Sequence, residues 1–128
     1  MRGAAVLSAV ILISVIAGGN GGGLQYYEIV REMGYADVSV NPVEIEEVRI
    51  PDEFNKVYLK YNELLKKGGY DLSEYKGKVC QRYTYLIPSV NARANVLVHN
   101  GTVIGGDISG ITLDGIMIPL KRSEGCAT

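Results

Sequence analysis

The chain has no tryptophan, one phenylalanine, one histidine and two cysteines, and its 13 Lys and Arg against 14 Asp and Glu leave a net charge of only -1. Each shortage excludes something. Without a basic excess there is no surface to displace counterions from a phosphate backbone, so nucleic-acid binding is set aside. Two cysteines and the lone His99 match no zinc spacing, so neither a metal site nor a cofactor is expected. A Cys80–Cys126 disulfide stays open. An exported chain would permit it, but Cys80 lies inside a strand pattern and Cys126 stands two residues from the end of a polar tail. His99 is read as an exposed neighbour of a turn, and Ser109 lacks a G-x-S-x-G setting. No residue is assigned a catalytic role.

Residues 3–19, GAAVLSAVILISVIAGG, carry no charge and directly follow Met1-Arg2. A short basic start followed by an apolar run directs a chain to a membrane. The run falls somewhat short of the roughly 20 residues that span a bilayer. Residues 1–19 are therefore read as a signal peptide, cleaved after Ala17, or as an N-terminal membrane anchor. No cysteine follows to carry a lipid. Residues 20–23 read as a glycine linker, 24–120 as one domain and 121–128 as a polar tail. The expected location is extracytoplasmic, anchored or secreted. The expected partners are the membrane, if the segment is uncleaved, and an envelope protein or small ligand.

Within the domain, Tyr26, Ile29, Val30 and Met33 recur at helical spacing before Gly34, a natural left-handed cap. Val38 and Val40 alternate as a strand, Asn41-Pro42 turns the chain, and Val43 and Ile45 alternate again. Val48 and Ile50 are out of phase with that pair, which predicts a bulge at Glu46-Glu47. Residues 52–67 form the best helix, with Asp52 as N-cap and Phe54, Val57, Tyr58, Tyr61, Leu64 and Leu65 on its apolar face. Gly68-Gly69 ends it. Strict alternation from Lys78 to Ile87 predicts a strand, with Cys80, Arg82 and Thr84 on one face. Asn100-Gly101 joins two further arms, Ala94–His99 and Thr102–Ile108, as a type I′ hairpin. The order implies an α+β fold, two layers with an antiparallel sheet of four to five strands and two helices on one face.

A two-residue turn would place Val98 opposite Val103, Leu97 opposite Ile104, Val96 opposite Gly105 and Asn95 opposite Gly106. Paired glycines in a strand bury no side chain, so they mark either a bulge or the close approach of another element. They could also floor a shallow groove, with Arg93, Asn95, Gly105, Gly106 and Asp107 as its ligand-binding residues. Gly105 to Gly110 closes a hairpin rather than opening a helix, which argues against a phosphate loop. Arg82, Arg93, Asp107 and Asp114 lie among apolar residues, and an Arg–Asp bridge pinning the hairpin to the preceding strand is the expected arrangement.

The segments EEVRIPDEFNKVYLKYNELLKKGGYDLSEYKGKVCQRYTY, RANVLVHNGTVIGGDISG and LDGIM together resemble the domain of unknown function 4830 family, over about residues 26–117. That resemblance implies an extracytoplasmic domain behind an N-terminal anchor, in exported or membrane-anchored proteins of Gram-positive bacteria, and implies no activity. The chain departs from the family at Ile116-Met117-Ile118-Pro119, where a more aromatic, histidine-containing ending is usual, and at Ser109, where cysteine is common. The reading that follows is a non-enzymatic binding or accessory module. The alternative is a small cell-envelope hydrolase using Asp107 and Asp114 as acid and base.

Overall fold

The computed structural model describes residues 22–111 and 116–122, with side chains from Tyr26 onward. Helix α1 (Gly22–Glu32) begins inside the glycine run. It is followed by β1 (Glu44–Arg49), α2 (Lys56–Lys67), a 3-10 turn at Leu72–Tyr75, and strands β2 (Val79–Ile87), β3 (Ala92–His99), β4 (Thr102–Gly110) and β5 (Met117–Pro119). The five strands pair antiparallel in sequence order, so the α+β class and the sheet are as expected.

The expectation that both helices cover one face is not met. Side chains alternate across a strand, so the β2 residues Tyr83 and Thr84 point to opposite faces. Tyr26 of α1 packs on Tyr83 with ring centroids 5.0 Å apart. Tyr61 of α2 bonds to Asp107, which lies on the Thr84 face because Thr84 pairs with Asn95 and Asn95 with Asp107. The helices therefore sit on opposite sides of the sheet. A sheet apolar on both faces needs cover on both.

Burial on two sides also accounts for the phase slip in β1. Its pairing with β2 is unbroken from Glu44–Thr84 to Arg49–Val79, so the bulge expected at Glu46-Glu47 is absent. Ile45 lies opposite Tyr83 on the α1 side, and Val48 opposite Cys80 on the α2 side. The segment around Val38 and Val40 is not a strand. Val38 N–H closes a turn onto the Tyr35 carbonyl (3.2 Å), and isolated bonds tie the stretch to β2, from Ser39 N–H to the Leu86 carbonyl, from Leu86 N–H to Ser39 Oγ and from Val43 N–H to the Thr84 carbonyl. Pro42, with no N–H, sits between Ser39 and Val43.

Helix α2 starts later than its pattern suggested. Asn55, not Asp52, is the N-cap, its Oδ1 accepting from Tyr58 N–H at 2.9 Å. Asp52 instead forms an exposed ion pair with Arg49. Phe54, just before the helix, packs against Tyr58 (centroids 5.4 Å). The face turned inward carries Tyr58, Tyr61, Leu64, Leu65 and a buried Asn62, while Val57 stays 72% exposed. Asn62 is satisfied on both sides, accepting from Leu72 N–H (2.7 Å) and donating to Asp71 (2.9 Å). Gly68 ends the helix and takes up the returning chain, since Arg122 N–H donates to the Gly68 carbonyl (2.8 Å). Leu65, Leu72, Cys80, Tyr85, Ile87, Val96 and Leu120 are among the fully or almost fully buried core side chains. Each large aliphatic among them contributes about 1.5–3 kcal/mol of burial.

Candidate functional site

The hairpin forms on Asn100 (φ 50°) and Gly101 (φ 79°), with both central residues at positive φ as the turn demands. Its register holds only as far as Val98–Val103. Between Val98 and Leu97 the ladder slips by one residue, so Leu97 faces Gly105, Val96 faces Gly106 and Asn95 faces Asp107. This corrects the expected pairing of Asn95 with Gly106. The extra residue is Ile104, accommodated as a bulge. Asp107 thereby moves beside Asn95 on the face covered by α2.

The glycines that follow the bulge are covered. A Cβ on Gly105 would come within 2.6 Å of Leu65 Cδ2, and one on Gly106 within 2.2 Å of the Asn95 carbonyl and 2.6 Å of Leu120. Close approach by α2 and by the chain after β5 explains the pair, so they do not floor an open groove. Arg93 is exposed, paired with Leu86 and Ser109 on the strands beside it. Asp114 and Cys126 lie outside the described residues.

Asp107 is buried (4% exposed) and receives three side-chain donors. Tyr61 Oη donates to Oδ1 at 2.6 Å, and Ser109 Oγ and Asn95 Nδ2 donate to Oδ2 at 2.5 and 3.3 Å. Thr84 Oγ1 then donates to Asn95 Oδ1 at 2.9 Å, which fixes the amide's orientation. Among the described residues the expected Arg–Asp bridge is not formed at Asp107. Arg82 pairs with Glu46, its direct neighbour across β1 and β2, leaving Asp107 to neutral donors. Burial, then the Asp107 charge and hydrogen bond, push the Tyr61 hydroxyl far above its ordinary pKa. It stays a donor at any physiological pH.

Beside this network a cleft of about 220 Å³ opens between α2 and the sheet. Arg82, Asn95, Asp107 and Ser109 supply its polar lining, and Tyr58 and Tyr61 enclose it from the helix. Val48, Leu97 and Met117 give it apolar walls. Arg82 Nε is fully buried and, among the described residues, finds no acceptor. A second hollow of about 190 Å³ on the other face is lined by Tyr35 and aliphatic side chains such as Val90, Ile108 and Ile116, and offers far less chemistry. Among the described residues no three His, Cys, Asp or Glu gather as a metal cluster.

Of the residues proposed from sequence, the fold joins Asn95 and Asp107 at one cleft and places Gly105 and Gly106 beneath packed side chains. Sequence reasoning did not assign Tyr58, Tyr61, Thr84 or Ser109 to the site. A signal existed in the polar residues Arg82 and Thr84 at alternate positions of a strand with a buried face. Tyr61 could not be linked to Asp107, 46 residues away, by any local pattern.

Residues 29–108, more than half of the chain, match the model of the domain of unknown function DUF4830. The chain belongs to this family. In it, the matched segment runs from α1 through Ile108 and so includes the whole hydrogen-bonded chain from Thr84 to Asp107, with Ser109 just beyond. No curated protein and no solved structure matches the chain. Among the described residues no helix is long and apolar enough to cross a membrane.

Proposed function

We propose that this DUF4830 chain is a non-enzymatic binding or accessory module held outside the cytoplasm, and that the cleft between α2 and the sheet is its binding surface. One observation carries the binding reading. Asp107, the carboxylate best placed for chemistry, is tied by Tyr61, Ser109 and Asn95, and the described lining of the cleft holds no histidine, lysine or cysteine to act with it. A general acid or base must exchange its proton with substrate, whereas a carboxylate held by three donors holds a shape. The location rests on the uncharged run 3–19 behind Met1-Arg2, the pattern of an exported or membrane-anchored chain.

The experiment is a fusion of alkaline phosphatase, which folds only in an oxidising space, to the C-terminus of the full chain. An active reporter in intact cells, lost when residues 3–19 are deleted, is the expected result; activity independent of those residues would overturn the location. Intact mass of the recovered protein then distinguishes a cleaved signal from a retained anchor.

A further inference from the structure

We propose that the cleft takes a small zwitterion of amino-acid type, its ammonium at Asp107 and its carboxylate at Arg82. This rests on the binding reading above and names the ligand class of the same cleft. Two unfinished interactions carry it, one on each side of the opening.

The first is Arg82. Its Nη2 is engaged by Glu46, while the buried Nε–H has no acceptor among the described residues. A buried donor left unpaired is costly, so an oxygen arriving from the cleft recovers what the apo fold forfeits. A carboxylate suits a guanidinium edge better than a neutral carbonyl, because both partners are charged.

The second is Asp107. The ion pairs among the described residues are Arg49–Asp52 and Arg82–Glu46, so this buried carboxylate has hydrogen bonds but no cation. An ionised carboxylate offers about four acceptor positions; three are filled, and the remaining one is on Oδ1. An ammonium bound there supplies the missing opposite charge in a site where such pairing counts most. Tyr58 and Tyr61 line the cleft beside it. An anion alone would leave Asp107 uncompensated, and a cation alone would leave Arg82 Nε unmet.

Spacing fits the same class. Arg82 and Asp107 share a face, two strands and two residues apart, which sets their Cα atoms roughly 12 Å apart. Both residues line one cleft of about 220 Å³, room for a small two-headed molecule rather than for a peptide. Val48, Leu97 and Met117 provide an apolar wall for a short aliphatic side chain.

The test is titration of the full chain, in mild detergent, with L-valine, following the Arg82 Nε–H resonance and the Asn95 and Ser109 amides by NMR. The expected result is a saturable shift of all three, with propionate and ethylamine, each carrying one of the two heads, binding about tenfold more weakly. Arg82→Lys, which keeps the charge and removes the Nε–H, weakens L-valine by a similar factor. Asp107→Asn does the same if it folds; Arg82→Lys touches no bond of the Asp107 network and keeps the test valid if it does not. No saturable shift, equal binding of a one-headed analogue, or an unaffected Arg82→Lys chain would overturn the proposal. A shift produced by low-mass envelope extract but not by amino acids also overturns the ligand class, while leaving the binding reading standing. Silence toward both defeats the two together.

Discussion

Asn95 stands directly across the β3–β4 ladder from Asp107 and donates to its carboxylate at 3.3 Å. The pairing exists only because the hairpin slips by one residue at Ile104. Without the slip, Asn95 would face Gly106, and Asp107 would turn to the other side of the sheet, away from Tyr61.

Asp107→Asn keeps the shape but removes the charge that three donors serve. Hydrogen bonds to a charged group are worth about 1.5–3 kcal/mol each, and an amide can repair only some of them. The expected loss is about 2 kcal/mol, seen as a lower midpoint in urea unfolding with an unchanged slope.

Tyr61→Phe deletes the 2.6 Å bond to Asp107 and leaves the ring in place. Alone it should cost about 1–2 kcal/mol. Combined with Asp107→Asn, the two losses should fall short of their sum by at least about 0.5 kcal/mol, as expected for partners in one network. A double-mutant cycle in urea measures the shortfall.

Gly106→Ala should be worse than Gly105→Ala. At Gly106 (φ +152°) a Cβ meets the Asn95 carbonyl at 2.2 Å, a backbone atom that cannot step aside, whereas at Gly105 it meets the tip of the Leu65 side chain. Overpacking of the second kind costs about 1–3 kcal/mol; the first adds backbone strain and should abolish the folded spectrum. Circular dichroism melts of the two variants decide the order.

Stability should fall at both ends of the pH scale for separate reasons. Hydrogen bonds from Asn62 and then from Ser73 hold Asp71 down to about 2, against an ordinary value of 3.8. A depressed carboxylate stabilises fully above its unfolded value and loses that contribution as pH drops from near 4 toward 2. Asp71→Asn should therefore flatten the acid limb of a plot of melting temperature against pH. Tyr61, raised chiefly by burial, has the opposite sign: its contribution is complete below the ordinary value of 10.0 and declines above it. Tyr61→Phe should flatten the alkaline limb.

How much was readable from the residues depended on how local the cause was. The Asn100-Gly101 turn was legible because two residues alone satisfy its positive φ requirement. The α2 cap is not where the pattern alone puts it because Asp52 and Asn55 are both capping types before one apolar face, and in the fold Asp52 is engaged by Arg49 while Asn55 accepts from Tyr58 N–H. The β1 phase slip suggested a bulge, since cover on both faces is a tertiary fact. The glycine pair announced close packing without saying that Leu65 and Leu120 supply it. The site was the least legible part: Asn95 and Asp107 were picked out singly, but their partnership needs the Ile104 slip, and Tyr61 reaches them only through the packing of α2 on the sheet.

Whether the cleft beside Asp107 binds without reacting, as proposed, is read by adding low-mass envelope extract to the full chain, following the Arg82, Asn95 and Ser109 resonances by NMR, and assaying the extract by mass spectrometry before and after. Saturable shifts at those residues and an extract of unchanged composition are expected. Consumption of an extract component, abolished by Asp107→Asn in a chain that remains folded, would contradict the binding reading.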